Sequence, residues 1–335
     1  MNLELKKALV KMVPDKFMGD FKSITKTRKM NKLINYDKNR FSKYAFVDQD
    51  LSYNQIEARL TKEYHSLEKG LTYSNLRLGF GKKVLNNVIT LMEIYRDKGF
   101  PLNSHVYETS LSVLEEYIKV HKDNGYDVEE LEEKFILLGD SASSNGEGGY
   151  YEKTKHEVFN SVSKDFKDFS QSRFSIREYT EEPVSYEKIE ESLKLASHTP
   201  SACNRQPWKI RIVSDSKMKK ILQNNQNGNR GFGDYIDKFI IITSDVEYYD
   251  KGRERNQANI DGGMYAMNLL YSLHYNKIAT VPLSASLSID QEKNLRNEFE
   301  IPDSENFILF IGIGNYTENF KITKSSRRDV SYIKF

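Results

Sequence analysis

The sequence predicts an α+β domain preceded by an all-helical module, and three observations predict it. Apolar residues recur at helical spacing up to residue 138, and a small, polar, glycine-rich stretch follows. Beyond that stretch, helical periods alternate with short apolar or alternating runs of strand length. Helices packed around a sheet of a few strands make an α+β domain. The length of 335 residues agrees with two domains at roughly 150 residues each.

Residues 1–43 form a basic N-terminal segment. They carry twelve basic and four acidic side chains (Glu4, Asp15, Asp20 and Asp37), a surplus of eight, whereas the whole chain balances at +2. Leu5, Leu9, Met12 and Val13 make a short apolar stripe beside Lys6, Lys7 and Lys11, and Pro14 ends it. Such a segment suits an anionic membrane surface, and equally a dock on its own domain. No recognisable module joins the basic residues, so nucleic acid is not an expected partner.

Residues 44–138 read as the helical module. Val84, Val88, Leu91, Met92 and Tyr95 share one stripe, and Leu111, Leu114 and Ile118 continue the pattern. The acidic run Asp123–Glu133 reads as a solvated helix face. His65, Glu68 and Lys69 share a helical face, with Gly70 as a natural stop. The pair Gly79-Phe80-Gly81 is too short for a dinucleotide fingerprint. Residues 139–155, rich in glycine and serine, read as a flexible linker.

Residues 156–335 form the expected α+β domain. Ser185 opens a helix marked by Ile189, Leu193 and Ala196, with Lys188 where a complete capping box has Glu or Gln. Trp208, Ile210 and Ile212 alternate with Lys209 and Arg211 as a half-buried strand. Phe239–Thr243 and Phe307–Ile311 suit interior strands, and Met264, Met267, Leu270 and Tyr271 a buried helix.

Several classes fall away. The longest apolar stretch, Phe307–Ile311, is far short of the roughly 18 residues of a spanning helix. The N-terminus lacks a secretory pattern, so a cytoplasmic protein is expected, with residues 1–43 as a peripheral contact to the inner membrane face. One cysteine, Cys203, excludes an internal disulfide, and reads as a small buried residue. The six histidines include no i,i+4 pair, so no metal is expected.

Three segments carry chemistry. In Arg173-Phe174-Ser175-Ile176-Arg177 the arginines and serine alternate, so an extended chain points them to one side, and two guanidinium forks with a hydroxyl suit a phosphate. Pro200-Ser201-Ala202-Cys203-Asn204-Arg205-Gln206-Pro207 is a loop held extended between prolines, with polar groups able to grip the edge of a planar heterocycle. After the last apolar run come Gly312 and Gly314, then Lys321, Lys324, Arg327 and Arg328, a cluster able to close on an anion.

Together these segments resemble the nitroreductase family of flavin enzymes. The Arg-x-Ser-x-Arg motif matches Arg173, Ser175 and Arg177, and the Pro-Ser-x-x-Asn-x-Gln-Pro-Trp motif matches Pro200 to Trp208 without a gap. The resemblance covers roughly residues 168–332. It implies a nitroreductase-like central mixed or antiparallel sheet flanked by helices, FMN held at the interface of an intertwined homodimer, NAD(P)H (NADPH included) as electron donor, and a small-molecule acceptor. By the same resemblance Arg173 and Ser175 approach the FMN phosphate, with Arg327 and Arg328 closing on it. Arg177 lies at the pyrimidine edge as an electrostatic stabiliser. Pro200, Ser201, Ala202, Asn204 and Gln206 border the ring from the partner subunit, and Leu283, Ser284 and Gly314 complete the site. No protein nucleophile is implied.

The sequence departs from the family at Asn276–Ser284, where many members carry Gly-Leu-Gly and a glycine turn beside flavin N5. The residue before Asn268, commonly glutamine, is Met267. The expected reaction is hydride transfer through the flavin to a nitro, quinone or enone-like acceptor. Two alternatives accompany it: flavin chemistry other than reduction, and a flavin-binding role in cell-envelope polysaccharide assembly. The helical extension is similar to those ahead of some nitroreductase-like domains linked to surface polysaccharides. Within it, His65, Lys69 and Arg77 are candidates to line the acceptor pocket.

Overall fold

The computed structural model describes residues 15–44, 50–139, 144–249 and 251–334, and side chains in the first of these segments from 23 to 39. The apolar stripe Leu5–Val13 lies outside the described residues. The chain divides into two compact units, Met1–Leu51 with Tyr249–Asn256 and Ser52–Tyr248 with Gln257–Phe335.

The first unit is built on helix α1 (Asp15–Tyr44). Its described basic side chains Lys26, Arg28, Lys29, Lys32 and Lys38 are exposed. The Arg255 Nη2 donates to Asp37 Oδ1 at 2.9 Å, fixing the turn Gly252–Glu254 to the helix.

The second unit opens with four helices: α2 (Tyr53–Leu71), α3 (Lys82–Asp97), α4 (His105–Asp123) and α5 (Glu129–Leu138). Ser52 caps α2 in a reciprocal box with Gln55, and Ser104 caps α4, so each start has its orphan N–H groups engaged. The stripe expected from the sequence is the buried one: Val88, Met92 and Tyr95 are buried, as are Leu60 and Leu67 of α2 and Leu111 and Leu114 of α4. Each such side chain contributes roughly 1.5–3 kcal/mol by leaving water. Helix α2 runs through Gly70 to Leu71 rather than stopping there. The acidic run is not one helix face, because α4 ends at Asp123, Gly125 turns the chain at φ +72°, and α5 begins only at Glu129.

The expected linker is structured where it is described. Gly148 N donates to Ser112 Oγ at 2.8 Å and Gly149 N to Glu68 Oε1 at 3.2 Å. A Cβ on Gly148 would meet Val113 Cγ2 at 2.5 Å. Glycine serves close approach to α4 here, not looseness. Strand β1 (Tyr150–Thr154) follows inside the same segment and pairs antiparallel with β6 (Asn319–Thr323).

The α+β part has a four-stranded antiparallel sheet in the order β2-β3-β5-β4. Its strands are β2 (Trp208–Val213), β3 (Lys238–Asp245), β4 (Ala279–Ser284) and β5 (Glu305–Gly314). On one face Phe239, Ile241, Val281, Leu283 and Phe310 pack with Val158 of α6 (Lys155–Val162), Leu222 of α9 (Ser216–Asn225) and Leu295 of α11 (Ile289–Glu298). On the other, Ile240, Ile242, Ile311 and Ile313 meet α8 (Tyr186–Ala196) and α10 (Gln257–Tyr275). The short α7 (Phe166–Gln171) leads into the arginine segment. The period-2 alternation of β3 and β5 thus divides the core into two, giving three layers. The expectation that Met264 and Met267 are buried is overturned. Leu269 and Leu273 face the sheet, while Met264 and Met267 sit on the opposite side of α10, 39% and 38% exposed.

Candidate functional site

The sheet edge at β4 positions the arginine segment. Ile176 N donates to Thr280 O at 2.8 Å, and Ser175 bridges Thr280 in parallel. Ile176 and Phe174 enter the core beside Tyr179, so Arg173, Ser175 and Arg177 take the other side, as the alternation requires. Tyr179 closes the segment, donating from its hydroxyl to Ile176 O at 2.6 Å.

Both guanidiniums are short of partners. Arg177 is 8% exposed, its Nε is buried without a hydrogen-bond partner, and its Nη1 reaches only Ser175 O at 3.4 Å. Its guanidinium lies over the Phe232 ring at 5.8 Å. Arg173 Nη1 is likewise buried and unpartnered. Burial holds both arginines below their ordinary range, and at Arg173 the positive charge of Arg327 adds to the effect. Leaving a buried charge uncompensated costs several kcal/mol, so two such groups on one edge mark a place for an anion.

At the Arg173 end, Ser172 Oγ lies 2.8 Å from His274 Nε2. His274 is buried, and its pKa falls from 6.5 to about 4, first through burial and then through the charge of Arg173. The tail beyond β6 returns to this side. Ser326 Oγ is 2.9 Å from His105 Nε2, and Arg328 Nη1 pairs with the buried Glu57 at 3.0 Å. Arg327 is therefore the tail arginine that acts on Arg173, whereas Arg328 is engaged with α2 and hydrogen-bonds Thr61 Oγ1 at 3.4 Å.

The loop 200–206 is not extended. Ala202–Asn204 form a 3₁₀ turn, and Cys203, Asn204 and Gln206 take φ of 55°, 55° and 48°. Three non-glycine residues in the left-handed region store strain, a property concentrated at ligand-binding loops. Ala202 N donates to the fully buried Asp261 of α10 at 3.2 Å, Ser201 Oγ accepts from Gln206 N at 2.9 Å, and Gln206 Nε2 donates to Asn204 Oδ1 at 3.2 Å. Cys203 is exposed, against the expectation of burial, and sits in the middle of the 3₁₀ turn. Pro200, Asn204 and Gln206 are also exposed. Within one chain this loop sits at the start of α10 and the arginines at the β4 edge.

Among the remaining candidates, Leu283 is buried in the core, and Ser284 O accepts from Gln226 Nε2 at 3.0 Å. Gly314 lies against the Tyr179 ring, which leaves no room for a Cβ. Its packing is accounted for by that contact. Asn268 Nδ2 donates to Thr199 Oγ1 at 2.8 Å, tying α10 to the base of the loop. The sequence reading missed His274 and Tyr316, both buried beside Arg173. Only the return of distant segments assembles them there.

The three-layer α+β domain thus carries, on one sheet edge, two arginines whose buried nitrogens lack partners, an arrangement that suits an anionic ligand. The comparisons name the family. Residues 171–230 match the nitroreductase family model, and over that segment the chain is similar to that family. It is 38% identical over 52 residues to an iodotyrosine deiodinase of Thermotoga neapolitana, covering 16% of this chain and 28% of that one. It is 41% identical over 59 residues to an NADH dehydrogenase of Thermus thermophilus, covering 18% and 29%. The chain thus spans under a third of the length of these curated relatives. An FMN-dependent nitroreductase of Clostridium difficile is similar in structure, with 22% identity, a TM-score of 0.39, and 44% of this chain and 85% of that one covered.

Proposed function

We propose that this protein is an FMN-dependent oxidoreductase that takes hydride from NAD(P)H and passes it to a small-molecule acceptor, working as a homodimer. The observation that carries the reading is the pair of buried guanidinium nitrogens, Arg173 Nη1 and Arg177 Nε, that have no hydrogen-bond partner among the described residues. Arg173, Ser175 and Arg327 hold the phosphate through charge-assisted hydrogen bonds, which relieves the repulsion between the two arginines. Arg177 favours negative charge at the ring end, where its low-dielectric surroundings strengthen the effect. FMN, when bound, supplies the hydride relay between donor and acceptor, and the acceptor takes its matching proton from solvent. The strained loop Pro200–Gln206 orients the ring from the partner subunit.

The homodimer is supported by the outer face of α10. Ile260, Met264, Met267 and Tyr275 expose apolar surface along this face, beside the root of the 200–206 loop. No described helix is long and apolar enough to cross a membrane. The basic segment 1–43 is proposed to rest on an anionic membrane, and deleting it is expected to abolish co-sedimentation with phosphatidylserine vesicles.

The purified protein is expected to be yellow, or to become so with added FMN, and to bleach when NADPH or NADH is supplied without oxygen. A colourless protein that cannot be reconstituted overturns the proposal.

A further inference from the structure

The last turn of α2 brings one more cation to the ring end. Ser74 N donates to Glu178 Oε1 at 2.8 Å, and Tyr73 Oη donates to Arg230 O at 2.9 Å. The Tyr73 ring also lies against Gly231, where a Cβ would meet it at 3.0 Å. These contacts hold Tyr73 and Ser74, just past the end of α2, against the segments that flank Arg177 and its neighbour Phe232. Lys69 is half-buried there, with no carboxylate bound to its ammonium among the described residues. Burial and the charge of Arg177 both hold that ammonium below the usual lysine range. The adjacent carboxylate, Glu68, is fully buried and engaged elsewhere, by His65 Nδ1 at 3.0 Å and Gly149 N at 3.2 Å. Of the three extension residues singled out by sequence, His65 therefore faces Glu68 and Arg77 is exposed. Of the three, Lys69 is the one whose ammonium is half-buried and feels the charge of Arg177.

We propose that Lys69, a residue outside the family segment, forms with Arg177 a two-cation pole that contacts the ring end of the flavin and favours its reduced, negatively charged form. Two cations set side by side without an anion repel each other, and negative charge placed between them relieves both. The helical extension thereby supplies part of the cofactor site and does more than cover it. This assignment rests on the FMN reading above.

The test uses the full chain, with Lys69→Met removing the charge at similar length and Lys69→Arg keeping it. Affinities for oxidised and reduced FMN and the midpoint potential are measured by titration and spectroelectrochemistry, with circular dichroism as a control of folding. Lys69→Met is expected to weaken reduced FMN about tenfold more than oxidised FMN, a fall of about 30 mV for a two-electron couple. Lys69→Arg is expected to restore most of the potential. A folded Lys69→Met protein with wild-type potential overturns the assignment, including the case where only acceptor turnover is lost. An equal loss for both redox states that Lys69→Arg does not rescue also overturns it, as mere packing. Failure of the wild-type protein to take up FMN overturns the functional reading itself, and this assignment with it.

Discussion

Arg173 and Arg177 each hold a buried nitrogen without a hydrogen-bond partner, and no salt bridge joins either to a carboxylate among the described residues, so apolar residues of similar size would cost the fold less. That contrast yields a two-sided prediction. Replacing Arg173 and Arg327 together by methionine is expected to weaken FMN binding about a hundredfold or more, at about 1.5–3 kcal/mol per charged contact. The same change is expected to raise the melting temperature of the FMN-free protein, because a buried unpaired charge is gone. Isothermal titration and thermal melts read the two effects. A second residue-scale prediction concerns His274. Its imidazole titrates at 6.5 in its ordinary state and at about 4 in the fold, so the unfolded chain takes the proton first. The stabilisation it contributes is complete above pH 6.5 and is lost progressively as pH falls towards 4, at most about 3 kcal/mol. Urea denaturation of the FMN-free protein from pH 7.5 to 4 is expected to show this slope, and His274→Gln to flatten it. At this scale the alternation at residues 173–177 was legible, because a strand's period of two needs no tertiary information. Lys69 and Arg327 acquire their neighbours only through long-range docking, which spacing does not encode.

Among the elements, β5 and the segment ending at Tyr179 pass as closely as backbone and ring allow. Gly314 pairs with Ala279 across the sheet and lies under the Tyr179 ring. Gly314→Ala is expected to destabilise the protein by about 1–3 kcal/mol through overpacking, measured by denaturant titration. It is also expected to shift the near-ultraviolet signal of Tyr179 and its neighbour Tyr316. The interior strands β3 and β5 could be read from their unbroken apolar runs, and α8 from its Ser185 cap and apolar stripe. Strand β1 could not. Its sequence, Tyr-Tyr-Glu-Lys-Thr, follows a glycine-rich run, and its partner β6 lies at the far end of the chain. Glycine is common to loose linkers and to tight backbone approach, so composition alone cannot separate them. The packing of Gly148 on α4 decides for the second.

In the molecule as a whole, α10 is apolar on both sides, and sequence cannot distinguish a helix buried in its own core from one covered by a second copy. The exposed Met264 and Met267 favour the copy. Replacing both by glutamate is expected to convert a dimer into a monomer in analytical ultracentrifugation. FMN affinity is expected to fall with it, since the Pro200–Gln206 loop then has no partner subunit to serve. Unchanged sedimentation would remove α10 from the interface. The helices α2–α5 lie in the same compact unit as the sheet, and the division falls around Leu51 and residues 249–256.

The pairing of β1 with β6 also sets an order of events during synthesis. Strand β1 emerges from the ribosome before any strand of the main sheet, yet it stays unpaired until β6, made after all of them, is available. Arg327 is translated later still. The clusters on both faces of the sheet can therefore begin to form on a nascent chain whose last strand and tail arginines have not been made. On the proposed function, cofactor capture is expected to be a late step of maturation, and chains interrupted before residue 319 to carry most of the core without the strand that pairs with β1.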